Sequence, residues 1–387
     1  MSIQYINKQD HLEDLLPKLH QNNRIGVDLE FDRNRYRYGF NLCLIQIYDG
    51  EKAYLVDPLS DEVDLSGLFS LFEDQDQELV VYSFGEDLRL LHSLNCFPTK
   101  IADLDHALRL LNYPPGSLGK HLEQTTGVEL PPSSQQSNWF KRPLTEKQQV
   151  YAAADVLYLL DLYDHLIDEL KREDIKHWFE QENHWLESQD YSNEDHSVLF
   201  RDKDKKGMNA FEWYIYQQLM YKIDETAEKL NRPIYHIAPK YLIARVAKDP
   251  SLLDSWSDQK KIFPGVRNQK FGKELKSVYN RAHQEAMEQG ISKSDPAESR
   301  WTREEHQEHK RKKQQINKVK NATLGPVQNA IVSDIGQHAQ TFILPNGLVE
   351  DIILNKADLP DYKAELIRTY SNRLDLDLSE LEILKNI

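Results

Sequence analysis

Cysteine is nearly missing from this chain: its 387 residues hold two, Cys43 and Cys96, both in apolar surroundings and without the paired spacing of a zinc site. A disulfide framework and a cysteine-held metal are therefore excluded, and both residues read as core positions in a reducing compartment. Long apolar runs are missing as well. No stretch of about 18 apolar residues occurs, and the opening "MSIQYINKQDHLEDLL" has neither a basic start with an apolar run nor a cleavage site. The expectation is a soluble, unsecreted, cytoplasmic protein. Positive charge is the third shortage: 48 Lys and Arg stand against 63 Asp and Glu, a formal net charge of -15. A surface coated in basic residues is excluded, so any contact with nucleic acid would have to use local patches. Two such patches exist. "RWTREEHQEHKRKKQQINKVK" carries eight Lys or Arg against three Glu, and "RNRYRYGF" sets three arginines beside two tyrosines and a phenylalanine. A charge run is most often a solvated face.

What is present is enough apolar residue, 40% of the chain, for more than one core. A capped amphipathic helix is expected near "DHLEDLLPKLH", followed by "RIGVDLEF", "LCLIQIYD" and "KAYLVDP" as a meander of short strands. A helix at "LSGLFSLFED", a buried strand "ELVVYSF" and a helix "EDLRLLHSL" give the alternation of an α/β sheet covered by helices. From about residue 100 onward the pattern is nearly all helical. "TEKQ" at 145–148 is a capping box that opens the helix carrying "QVYAAADVLYLL". The divisions expected are an α/β domain over 1–195, a helical domain over 205–290, a charged connector over 291–320 and a small helical domain with one "PNG" turn over 321–387.

Acids stand out against this background. Asp28 and Glu30 are two apart on a predicted strand and point to one face, while Val27, Leu29 and Phe31 form the other. Asp87 lies where a buried strand hands over to a helix, where α/β sheets place ligands and where a first-turn acid is also favoured by the helix dipole. Tyr151 and Asp155 are four apart on a helix, so they share a face, whether turned to solvent or to a common site. Gathered together, four carboxylates would each raise the cost of ionising the others. Divalent cations remove that objection. Oxygen ligands suit Mg²⁺ or Mn²⁺, and two ions about 4 Å apart would fit a hydrolysis in which one activates water and the other stabilises the leaving oxygen.

The motifs "VDLEF", "YSFGEDLRLL" and "NWFKRPLTEKQQVYAAADVLYLLDLY" resemble the three exonuclease motifs of the DEDD superfamily in its tyrosine-bearing branch, most closely the ribonuclease D family. The third motif is highly specific. The resemblance implies a ribonuclease H-like α/β fold with a mixed sheet, and hydrolysis of RNA from the 3′ end with two Mg²⁺ or Mn²⁺ ions, releasing nucleoside 5′-monophosphates. Carried over by motif, Asp28, Glu30, Asp87 and Asp155 would be metal ligands and Tyr151 would position the attacking water. A phenol with a pKa near 10 is a poor base at neutral pH, so the metals would do most of the activation.

Some positions depart from the pattern. Tyr82 stands where the second motif often has histidine, Leu29 where threonine is common, and "ELPPSSQQSNWF" lacks the lysine expected before the serine and tryptophan. Substrate contacts at Trp139 and Arg142 are expected beside the metal site, with core packing as the alternative for Trp139. "AEKLNRPIYHIAPKYLIARVAKDP" and "IFPGVRNQKFGKELKSVYNRA" resemble the all-α HRDC module, which would grip nucleic acid, with Arg267, Lys270 and Lys273 as candidate phosphate contacts. Residues 321–387 are expected to be a second HRDC-like domain. The function expected is a 3′-5′ exoribonuclease acting on structured RNA such as tRNA precursors. A DNA exonuclease of the same superfamily and a non-catalytic nucleic-acid-binding protein are the alternatives.

Overall fold

The structure is a computed structural model that describes residues 2–192, 199–297, 303–378 and 381. The expected domain boundary at 195, part of the 291–320 connector and the end of the 321–387 region lie outside the described residues. The chain divides into two compact units, one of Met1–Glu30, Leu42–Asn193 and Gln307–Ile387, the other of Phe31–Asn41 and Glu194–His306.

The first unit opens with β1 (Ile3–Ile6), α1 (Gln9–Leu19), β2 (Arg24–Arg33), β3 (Phe40–Tyr48) and β4 (Ala53–Val56). It continues with α2 (Ser66–Phe72), β5 (Glu78–Val81), α3 (Gly85–Ser93), β6 (Ile101–Asp103), α4 (Leu104–Leu110) and α5 (Leu118–Thr126). Three longer helices follow, α6 (Glu146–Leu157), α7 (Leu159–Arg172) and α8 (Lys176–Glu187). The strands form one sheet in the order β1-β4-β3-β2-β5-β6. It is mixed: β3 runs antiparallel to β4, while β1 pairs β4, and β5 pairs both β2 and β6, in parallel. The expected meander is present as the adjacent strands β2, β3 and β4.

Two expectations need correcting, on α1 and on "PNG", while the described chain beyond residue 100 is nearly all helical; the three residues of β6 extend the sheet, and their outer N–H groups are taken up by α8, Ile101 donating to Glu187 Oε1 (2.6 Å) and Asp103 to Asn183 Oδ1 (3.1 Å). Those side chains close an edge that would otherwise be open to pairing. Helix α1 begins without a side-chain cap and relies on Asp10 in its first turn. "PNG" is a helix start and not a turn: Pro345 is the N-cap of a helix over Asn346–Ile353, where its fixed φ and missing N–H cost nothing.

The second unit is helical, with α9 (Ala210–Lys229), α10 (Ile234–Ile237), α11 (Lys240–Lys248) and α12 (Gln269–Glu288) around a core that includes Phe211, Leu219, Ile243, Trp256 and Leu275. Trp256 donates to the Val266 carbonyl at 2.9 Å, and a Cβ on Gly272 would lie 2.9 Å from Trp256 Cβ, so glycine is required where α12 crosses it. Asn209 opens α9 with a capping box through Glu212.

Residues beyond the charged α13 (Arg303–Ala322) form α14 (Leu324–Asp334), α15 (Gln337–Ile343), α16 (Asn346–Ile353) and α17 (Asp361–Arg373). This region does not enclose a core of its own: Leu324, Ile331, Ile343, Tyr362 and Ile367 share one apolar cluster with Leu108, Leu110, Leu166 and Phe179 of the α/β part. Polar contacts fix the seam. Asn112 Oδ1 accepts from the backbone of His338 (2.8 Å) and Ala339 (3.1 Å) at the start of α15, and Tyr362 stacks on Trp178 with centroids 5.2 Å apart. Lys363 Nζ meets Glu182 Oε1 at 2.8 Å, with both side chains more than nine-tenths buried, and Tyr362 Oη donates to the same carboxylate. Removing one partner of a buried pair leaves the other charge uncompensated. Lys363→Ala is therefore expected to destabilise this unit by about 3 kcal/mol, measured by denaturant unfolding, whereas a change below about 1 kcal/mol would contradict the pairing.

Candidate active site

Register places the first two acids. Gly26 of β2 is opposite Val80 of β5, and β5 ends one residue later at Val81, so β2 outruns its neighbour and Asp28 and Glu30 lie on the projecting part. At the same end the chain leaves β5 through Ser83, whose φ is +57°, and enters α3 with Asp87 in its first turn. That turn is held from below by Asp103, which accepts hydrogen bonds from Ser83 N (2.7 Å), Phe84 N (2.8 Å) and Asp105 N (3.0 Å). Asp103 therefore caps α4 and fixes the turn carrying Asp87. Nothing in its local sequence distinguished it.

The third element is α6, opened as expected by Thr145 and Gln148. It reaches β2 because residue 26 is glycine: a Cβ there would stand 3.2 Å from the Val156 carbonyl oxygen and 3.4 Å from Leu159 Cβ. The close approach brings Asp155 to the strand acids. One carboxylate oxygen from each of Asp28, Glu30 and Asp155 lies within 4.8 Å of the others. Asp87 is outside that trio by distance, yet its charge raises the pKa of both Asp28 and Glu30.

The electrostatics follow from this crowding. Two carboxylates at such a separation repel by on the order of 3 kcal/mol at an effective dielectric of about 20. Burial first, then the charges of Asp87 and Asp155, push Asp28 well above the usual carboxylate range. Burial and then Asp28 do the same to Glu30, and burial raises Asp87. Asp155 rises from 3.8 to about 7, mainly by burial, with a hydrogen bond from Tyr151 pulling the other way. Asp87 Oδ1 is buried and meets no hydrogen-bond donor among the described residues. Such an atom calls for a cation, and a set made only of carboxylate oxygens fits a hard divalent ion.

Tyr151 leans on Trp139, ring centroids 6.2 Å apart. Burial and the nearby Asp155 and Glu30 raise its phenol far above the ordinary value, so it stays protonated and donates. Trp139 itself is 2% exposed, in a cluster with Cys43, Leu44, Leu55, Leu144 and Ala152, which is core packing behind Tyr151. Arg142 is likewise engaged inside the protein. Its guanidinium donates to Asp57 Oδ2 (2.6 Å) and Oδ1 (2.7 Å), to the Cys43 carbonyl (2.7 Å) and to the Trp139 carbonyl (2.6 Å). It ties the segment before α6 to β3 and to the end of β4. Arg267, Lys270 and Lys273 are exposed in the second unit, at and just after the start of α12.

Two outcomes follow. For metal-free protein the folded acids hold protons that the unfolded chain has released, so stability falls as pH rises from about 4 through about 7. Melting temperature is expected to drop across that window in EDTA and to recover with Mn²⁺; a flat profile with no response to Mn²⁺ would contradict the cluster. Gly26→Ala is expected to push α6 away and lower kcat at least tenfold while destabilising the fold by about 1–3 kcal/mol, checked by turnover and thermal melting. Unaltered turnover would show that the close approach is unnecessary.

Residues 3–171 match the family model described as 3′-5′ exonuclease. A ribonuclease D from Shewanella sp. (strain ANA-3) is 36% identical over 181 residues, which is 46% of this chain and 46% of that protein. The chain spans about half the length of the curated relatives it matches. Among solved structures, Escherichia coli RNase D, described as an exoribonuclease involved in structured RNA processing, superposes with a TM-score of 0.66 at 21% identity over 96% of this chain and 99% of that one. A protein from Bifidobacterium adolescentis gives 0.73 at 18% identity, over 96% of both chains. At such identities these two likenesses establish the fold alone.

Proposed function

We propose, from the premise that residues 3–171 form a domain of the 3′-5′ exonuclease family, that the chain is a metal-dependent 3′-5′ exoribonuclease of the ribonuclease D type. The observation that carries this reading is the convergence of Asp28, Glu30 and Asp155, with the field of Asp87 reaching the first two. These four would hold two Mg²⁺ or Mn²⁺ ions. When bound, such ions lower the pKa of water and neutralise charge on the leaving oxygen.

The chain's own residues do the rest. Tyr151, kept protonated, orients the attacking water by donating a hydrogen bond and does not remove its proton. Trp139 behind it and the Arg142–Asp57 pair below hold that phenol in place. In the second unit, Arg267, Lys270 and Lys273 are exposed and supply phosphate contacts in the HRDC-like module. The substrate is the 3′ end of a structured RNA such as a tRNA precursor, and the product is nucleoside 5′-monophosphate.

Incubation with 3′-labelled and 5′-labelled RNA, with and without Mn²⁺, reads polarity, metal need and product in one gel. The 3′ label is expected to leave at once as mononucleotide and the 5′ label to move down a ladder; internal fragments, or cleavage in EDTA, would contradict the proposal. Tyr151→Phe is expected to keep RNA binding and to lose about 10²-fold or more in kcat, and Asp28→Ala and Asp155→Ala to abolish turnover. Near-parent turnover in Tyr151→Phe would refute its role.

A further inference from the structure

At the start of α6 and in the segment before it lies a hollow of about 400 Å³, whose lining includes Ser133, Ser134, Lys141, Thr145, Lys147 and Gln148. Its lining is unusual for this chain. In a protein with 63 acids it contains none, and every lining side chain is a hydroxyl, an amide or an ammonium. Lys141 and Lys147 are exposed and have no ion-pair partner among the described residues, whereas Arg172 and Lys176, which line other hollows of this unit, pair with Glu169 and Glu180. The walls are built firmly: Ser134 and Gln148 are each 7% exposed, and Gln148 is locked into the cap of α6 through Thr145. Ser133, at one edge of the hollow, also hydrogen-bonds with Tyr151, so that edge adjoins the proposed water-positioning group while the lysines lie toward the start of α6 and the segment before it.

We infer that this hollow is a subsite for a backbone phosphate of the RNA strand, upstream of the nucleotide being removed, with Lys141 and Lys147 supplying the charge and the hydroxyls and amides of the lining supplying hydrogen bonds. It rests on the exonuclease reading for the identity of the strand. The positive end of α6 adds to the attraction for an anion, but the two ammonium groups provide most of it. Position along α6 sets the distance. From Thr145 to Asp155 is ten residues, roughly 15 Å at 1.5 Å per residue. A stacked strand advances about 3.4 Å per nucleotide, so a phosphate about four nucleotides from the cleaved end reaches the hollow. A strand of two nucleotides cannot.

The test compares labelled single-stranded RNAs of two and ten nucleotides, with binding followed in EDTA so that no turnover intervenes, for the parent and for Lys141→Ala/Lys147→Ala. Both lysines are exposed, so the variant is expected to fold, which its melting temperature confirms. The ten-nucleotide strand is expected to bind about tenfold more weakly, with the slope of log affinity against log salt shallower by about 0.7 for each lysine removed, while the two-nucleotide strand is unaffected. Equal affinity and slope for the longer strand would overturn the inference. Equal weakening of both lengths would overturn it too, by placing the lysines at the terminal nucleotide, and so would a parent protein with no affinity for the longer strand. Binding that behaves as expected, without cleavage of either strand in Mg²⁺ or Mn²⁺, would defeat the exonuclease reading and leave the subsite standing.

Discussion

Repulsion among buried carboxylates is the constraint on which the rest of the site depends. Asp28, Glu30 and Asp155 put oxygens within 4.8 Å of one another, and Asp87 adds its field, in a place where burial already disfavours ionisation. A fold does not assemble such a group for its own stability, since protonation or a cation must offset the repulsion. The surrounding structure is arranged to maintain it: a strand that projects past its neighbour, a turn tied down by Asp103, and a helix admitted to contact by the absence of a side chain at residue 26. The acids are thereby pre-organised, and a divalent cation that relieved them would also be able to activate water for the proposed hydrolysis.

The supports extend outward from there. Tyr151 is backed by Trp139, and Trp139 by the apolar cluster around Cys43, Leu55 and Leu144. Arg142 fastens the segment leading into α6 through two bonds to Asp57 and three to backbone carbonyls. On the other side of the unit, the helices after residue 322 complete the core over α4, α7 and α8, where Asn112 and the buried Lys363–Glu182 pair fix them in one position.

How much of this was legible depended on the range of the interactions. Asp28 with Glu30, and Tyr151 with Asp155, were readable because strand and helix periods put each pair on one face. The Thr145–Gln148 cap was readable for the same local reason. Strands β1 and β6 were missed, since four and three residues carry too little alternation to be told from loop. Asp103 and Gly26 were missed because their roles exist only after register and packing are set: one is a carboxylate under a turn 20 residues away in sequence, the other a missing methyl group facing a helix 130 residues later. Arg142 read as a substrate contact, and only the fold places Asp57 against it. The C-terminal helices read as an independent domain, and only the shared apolar cluster shows whose core they complete.

The central claim is that these acids form one cation site, and direct counting of bound Mn²⁺ by electron paramagnetic resonance at neutral pH tests it. Two ions per chain are expected for the parent protein, with binding weakened sharply in Asp28→Asn and in Asp155→Asn. A parent that binds no Mn²⁺, or variants that bind as many ions as tightly as the parent, would contradict the account.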